Sequence, residues 1–228
     1  MVELTIIGTA HVIDLAYPLE IFVRNSNPNI IALELDRERW FALNSEDRKV
    51  TGPFYIKLLA RLQKYLGDTF GSPPGSEMLV AAKIAASLGA KLAFIDKPIL
   101  PVFRETWKKM PWREFQNIII DSLISFVGGG NLNLNNSIRT GDFSNELTEF
   151  SERYPSLKNN LIDRRDTYMS TKIVKLFRNN NQNRIVVIVG EGHLQGISGK
   201  LSNLNPKIIT LSDLLRRKNN SVSFSVNI

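Results

Sequence analysis

The sequence predicts an α/β protein: a largely parallel sheet flanked by helices, with a helical insertion of about 101–178 between the third and fourth strands. Three observations predict it. Short apolar runs alternate with helix-length stretches, the order that builds βαβ units. The runs are apolar almost throughout, as strands covered on both faces must be. Polar residues cluster just past the ends of those runs, where open α/β sheets bind ligands.

In order, "ELTIIG" reads as the first strand and "DLAYPLEIFVRN" as the helix after it. "NIIALELD" is the second strand, followed by the helical "RERWFALNSEDRKV" and a further helix, "YIKLLARLQKYLG". "DTFGSPPG" is a loop of turn residues. In "SEMLVAAKIAASLGA", Ser76 is placed to cap the start and Gly89 the end, and the alanines favour close helix packing. "KLAFID" is the third strand. The insertion opens with two helices broken at Pro111, continues through the loop "GGGNLNLNNSIRTGD", and closes with the helical "FSNELTEFSERY" and "PSLKNNLIDRRDTYMSTKIVKLF". "RIVVIVG" is the fourth strand, "HLQGISGKLSNL" a helix and "KIITL" a last short strand. The closing "SVSFSVNI" alternates polar and apolar residues and reads as an edge strand, either covering its own sheet or pairing with a second copy as a homo-oligomer.

A chain of 228 residues, 43% of them hydrophobic, can bury one large core, so residues 1–228 read as one domain. It contains no cysteine, which excludes disulfides and thiolate metal sites and suits a cytoplasmic protein. No apolar run approaches the roughly 20 residues a membrane-spanning helix needs, and the N-terminus lacks a signal-peptide pattern. The net charge of +7 is spread over the chain, with one compact basic cluster at Arg216–Lys218. A solvated basic surface therefore fits better than a nucleic-acid site.

The chain has two histidines, and both stand in one frame: an apolar run, a glycine, two residues, then His11 or His193. Glu34 and Asp36 follow the second strand two residues apart and share a face. Asp96 follows the third strand, and Glu191 with His193 the fourth. Glu34 interrupts an apolar run, where an unpaired carboxylate costs several kcal/mol; it requires a cation, a metal or hydrogen-bond donors. Asp36 has two readings, a cap on the helix from Arg37 or a site member. Asp96 is either a loop carboxylate or a site member. Glu77 lies in a first helical turn, favourable for a carboxylate on dipole grounds alone. Arg165 falls inside the apolar stripe of Leu161, Ile162, Met169, Ile173 and Leu176, with Asp166 on its margin. That pattern fits either a polar network or an ion pair at the stripe's edge.

Six motifs, "GTAHV", "ALELDRERW", "GSEMLVAAKIAASLGA", "IDKPI" followed by Arg104, "RRDTYM" and "VVIVGEGHLQGI", come in an order that resembles the TraB/PrgY family, related to the Tiki proteases, GumN-like proteins and, more distantly, erythromycin esterases. The resemblance spans about residues 4–200. It implies paired G-x-x-H motifs at one site, metal-dependent peptidase activity in the Tiki branch, and pheromone shutdown in the TraB/PrgY branch. Carried over, His11 and His193 match the motif histidines, Glu34 the acidic residue ending strand two, Glu77 the Glu-Met pair, and Arg165 with Asp166 the Arg-Asp pair. The chain departs from the pattern at Lys97, where arginine is frequent, and at Arg164, where an acid is common. Many members also carry C-terminal membrane segments, which this sequence does not show.

The sequence thus favours a metal-dependent hydrolase of a peptide or similar acyl substrate. His11, Glu34 and His193 are the expected metal ligands. Glu77 or Glu191 is the expected general base, and Arg165, oriented by Asp166, the stabiliser of negative charge. Nitrogen and oxygen donors admit manganese, cobalt or zinc. Two rivals remain: a metal-free hydrolase using one histidine as base, and a non-catalytic protein that sequesters a peptide or another protein.

Overall fold

In the computed structural model, residues 3–10, 13–44, 75–128, 140, 144–179 and 183–225 are described. Five parallel strands form one sheet: β1 (Glu3–Thr9), β2 (Ile30–Leu33), β3 (Lys91–Phe94), β4 (Arg184–Gly190) and β5 (Lys207–Ile209). Their order is β3-β2-β4-β1-β5. The central trio brings the ends of β2, β4 and β1 side by side, with Leu33 paired to Ile188 and Thr9 to Gly190.

The continuous apolar runs bury both faces. Ile7, Ile31, Leu33, Val186 and Ile188 face a core closed by α1 (Ala16–Ser26), α3 (Ser76–Leu88) and α10 (Leu211–Ser225). Leu4, Ile6, Ala32, Ile185, Val187 and Val189 face the opposite core. There Met169 and Ile173 come from α8 (Arg164–Arg178), and Leu194 and Ile197 from α9 (Glu191–Lys200). Between α1 and α3 in sequence lies α2 (Arg37–Asn44).

The insertion between β3 and β4 is helical, as expected. Among its described residues, α4 (Ile99–Lys109) and α5 (Trp112–Gly128) break at Pro111, and α6 (Ser144–Arg153) and α7 (Pro155–Lys158) follow. A five-residue π-helical turn, Asn159–Asp163, then leads into α8. The expected helix "YIKLLARLQKYLG" and the glycine-rich loop from 129, residue 140 apart, lie outside the described residues, as do the residues of "DTFGSPPG" before Gly75.

Two expectations are corrected. Ser76 is the first helical residue of α3, and Gly75, at φ 81°, holds the cap position; Gly89, at φ 65°, ends the helix as expected. The C-terminal segment is not a strand. Through Ser225 it belongs to α10 (Leu211–Ser225), so the edge proposed for pairing with a second copy is absent there. A capping box starts this helix. Thr210 Oγ1 accepts from Asp213 N–H at 3.2 Å, while Asp213 Oδ2 accepts from Thr210 N–H at 3.0 Å. Leu211, Leu214 and Leu215 then bury one face in the core. Capping and burial at the start of the helix outweigh the period-2 pattern of its end.

Candidate functional site

The site is built where the sheet's carboxyl ends meet the insertion. Backbone bonds extend the ladder past the strands: Glu34 N–H donates to Ile188 C=O at 3.0 Å and Asp96 N–H to Leu35 C=O at 3.2 Å. This sets Glu34 beside β4 and Asp96 beside β2. Glu34 and Asp96 are buried, at 4% and 5% exposure, so each carboxylate needs donors.

Arg165 supplies them. Its Nε donates to Asp96 Oδ1 at 3.1 Å, Nη2 to Asp96 Oδ2 at 2.6 Å and to Glu34 Oε1, and Nη1 to the Leu161 carbonyl at 2.8 Å. The bidentate fork on Asp96 is a geometry that only guanidinium provides. Arg165's own pKa is raised: burial alone would lower it, and the two carboxylates more than reverse that. The second Glu34 oxygen accepts from Gly190 N–H at 2.7 Å. On the far side, Asp36 caps α2 by accepting from Arg39 N–H at 2.9 Å. The Arg39 side chain bridges Asp36, at 2.7 Å, to Asp96. Asp36 is therefore both cap and network member, and its two readings do not exclude one another.

His193 completes the chain of contacts. Its Nδ1 lies 2.6 Å from Asp166 Oδ1 and its Nε2 3.3 Å from Glu34 Oε1. Burial opposes charge on this imidazole, but Glu34 foremost and Asp166 next outweigh it and raise the pKa to about 9. Burial also raises the Asp166 carboxyl, against the pull of His193. Asp166 thus orients His193, and no bond joins it to Arg165 among the described residues.

Glu77 is buried in the first turn of α3, at 2% exposure. Glu191 turns to the C-terminal helix: its Oε2 accepts from Leu211 N–H at 2.9 Å. Gly8 admits this carboxylate, since a Cβ there would lie 1.9 Å from Glu191 Oε2. His11 lies outside the described residues, two positions beyond Thr9 at the end of β1.

Sequence reasoning missed Arg39 and Gly196. Arg39 lies three residues from Asp36, within reach on one helix face, which was the available signal. Gly196 lies inside α9, where glycine costs about 1 kcal/mol relative to alanine and so marks close approach. A Cβ at Gly196 would lie 1.9 Å from Asp166 Oδ2. Gly196→Ala is expected to push Asp166 off His193, destabilise the fold by about 1–3 kcal/mol, and return the His193 pKa towards its ordinary value. With two histidines in the chain, the ring resonances are readily assigned by NMR. An unchanged His193 titration in the variant would refute this role for Gly196.

Two cavities flank the network. One of about 680 Å³ runs along β3 and α8 and meets the network at Asp36 and Asp96. The other, about 480 Å³, meets it at Arg165.

A buried histidine held by a carboxylate, beside a glutamate–arginine–aspartate network at the carboxyl ends of a parallel sheet, defines an α/β protein with a polar centre made jointly by sheet and insertion. The family model of the TraB/PrgY/gumN family matches residues 2–212, and the chain belongs to that family. It is also similar to the uncharacterized protein MJ1365 of Methanocaldococcus jannaschii, 32% identical over 234 residues covering 95% of this chain. The chain spans 58% of that relative's length. Among the described residues no helix is long and apolar enough to cross a membrane.

Proposed function

We propose that the protein is a metal-dependent hydrolase acting on a peptide or similar acyl substrate, with His193, Glu34 and His11 as metal ligands. The observation that carries this reading is the 3.3 Å separation of His193 Nε2 from Glu34 Oε1, with Asp166 fixing the other ring nitrogen. Ligand atoms about 2.0–2.1 Å from a tetrahedral ion stand about 3.3 Å apart. A carboxylate on the remote nitrogen is the usual support of a metal-bound histidine. Among the described residues no group of three histidine or carboxylate side chains forms a metal set; His11, the third ligand proposed, lies outside them.

A bound divalent ion would lower the pKa of a water molecule and polarise a substrate carbonyl. The chain's own groups do the rest. Asp166 holds the His193 ring with Nε2 towards Glu34. Arg165 presents positive charge to oxygen that turns negative during acyl transfer. Glu77 is the candidate base; the alternative, the Glu191 carboxylate, accepts from the start of α10. Manganese, cobalt and zinc all suit these donors.

Metal analysis of purified protein tests the assignment. Wild type is expected to retain about one divalent ion per chain, and His193→Ala and His11→Ala to retain little. Equal metal content in all three would overturn it. The metal-free reading is favoured by the bonded Asp166–His193 pair, which also fits a general base. Hydrolysis that survives chelation but not His193→Ala would establish it. Peptide recovered intact after long incubation with metal-loaded protein would favour a sequestering role.

A further inference from the structure

The 480 Å³ cavity is lined by Lys97, Val102, Glu105, Asn160, Arg164, Arg165 and Thr167. We propose that it receives a carboxylate of the peptide on which the centre acts, held by Lys97 and Arg164. This proposal rests on the hydrolase reading above and adds the substrate class: peptides with a free C-terminal carboxylate or an acidic side chain near the bond to be cleaved.

Three observations carry it. First, two cations of the cavity wall, Lys97 and Arg164, are taken up by no close ion pair. Among the described residues neither Lys97 nor Arg164 has a carboxylate within ion-pair distance. The Lys97 ammonium stands 5.0 Å from the centre of the Tyr168 ring, and Arg164 Nη1 donates to Asn160 Oδ1 at 3.1 Å. Glu105, the acid in the wall, is taken by Lys109 at 2.8 Å. That bond holds its carboxyl below the ordinary range, with weaker pulls from Arg164 and Lys97.

Second, the cavity reaches the centre through one side chain. Arg165 lines it and also grips Glu34 and Asp96. A guanidinium has five N–H donors. Four bonds to Asp96, Glu34 and the Leu161 carbonyl leave one Nη1 donor over among the described residues. A carboxylate in the cavity is thus separated from Glu34 by a single guanidinium.

Third, the wall is formed at a π-helical turn. Asn160 belongs to it, and Arg164 and Arg165 follow directly. Such turns occur frequently at functional sites.

The test is equilibrium binding by fluorescence anisotropy, using the chelated 228-residue protein so that turnover plays no part. The probes are a labelled tetra-alanine peptide with a free C-terminus, its C-terminal amide, and the amide with one alanine replaced by aspartate. At least one carboxylate-bearing probe is expected to bind about tenfold more tightly than the plain amide, the scale of a charge-assisted hydrogen bond. Which probe does so identifies the source of the carboxylate. Lys97→Gln and Arg164→Gln should each reduce that preference, and the double variant abolish it with thermal unfolding unchanged, since Arg164 is exposed and Lys97 half-buried. Equal binding of all three probes to wild type, or a preference kept by the folded double variant, would overturn the proposal. A preference that depends on both residues, without hydrolysis by the metal-loaded protein, would support the anion site and count against the hydrolase reading.

Discussion

Arg165→Met is expected to destabilise the fold by about 3–5 kcal/mol, the scale for removing one partner of a buried ion pair. The loss arises less from the missing attraction than from what remains. Glu34 and Asp96 are almost fully buried and would lose the donors that make their charge tolerable. Asp96 would keep Arg39 and its bond from Lys97 N–H at 2.7 Å. Glu34 would keep Gly190 N–H and His193. The triple variant that also carries Glu34→Gln and Asp96→Asn should therefore recover part of the loss. Arg165→Lys should not recover it fully, because an ammonium cannot form the fork on Asp96. Urea denaturation of the series checks this. A loss below about 1 kcal/mol for Arg165→Met, the range of exposed pairs, would show that the network does not hold the insertion to the sheet.

The second large effect is a pH dependence carried by His193. Its pKa stands at about 9 in the folded protein, against roughly 6.5 in an unfolded chain. The folded state therefore binds the proton more tightly. The resulting stabilisation, on the order of 3 kcal/mol, is fully present below about pH 6.5 and is lost as pH rises through about 9. Metal-free wild type should lose stability across that window, and His193→Gln should lose much less. Equal slopes for the two proteins would contradict the charged state. The same proton bears on metal binding. A ligand nitrogen must be deprotonated, so metal affinity should rise with pH towards 9, with release of a proton that calorimetry in buffers of differing ionisation enthalpy can count.

Much of this centre was legible in the sequence because burial and charge conflict openly there. Glu34 within "IIALEL" demanded donors, and Arg165 within an apolar stripe demanded acceptors; each satisfies the other. The strands were legible because a sheet covered on both faces needs unbroken apolar runs. Partner identity was not legible. Asp166 is adjacent to Arg165, which invites the reading that one orients the other, yet neighbours on a helix point about 100° apart and here serve different partners. Arg39 and Asp96 are far apart in the sequence, and only the position of β3 beside β2 brings them together. The C-terminal segment was misread because alternation over eight residues outweighed the Thr210–Asp213 capping box just upstream, whose effect propagates along the helix it starts.

The divergence of Arg165 and Asp166 also has a mechanical side. A helix tied at one point can still roll about its axis. Arg165 ties α8 to the ends of β2 and β3, while Asp166 ties it to α9 beyond β4. Two tethers leaving one helix turn in different directions remove that rotation and oppose sliding as well. The angle and height at which α8 leans on the sheet are thereby set by the same two side chains that fix Glu34 and His193, so posture and chemistry share a single adjustment.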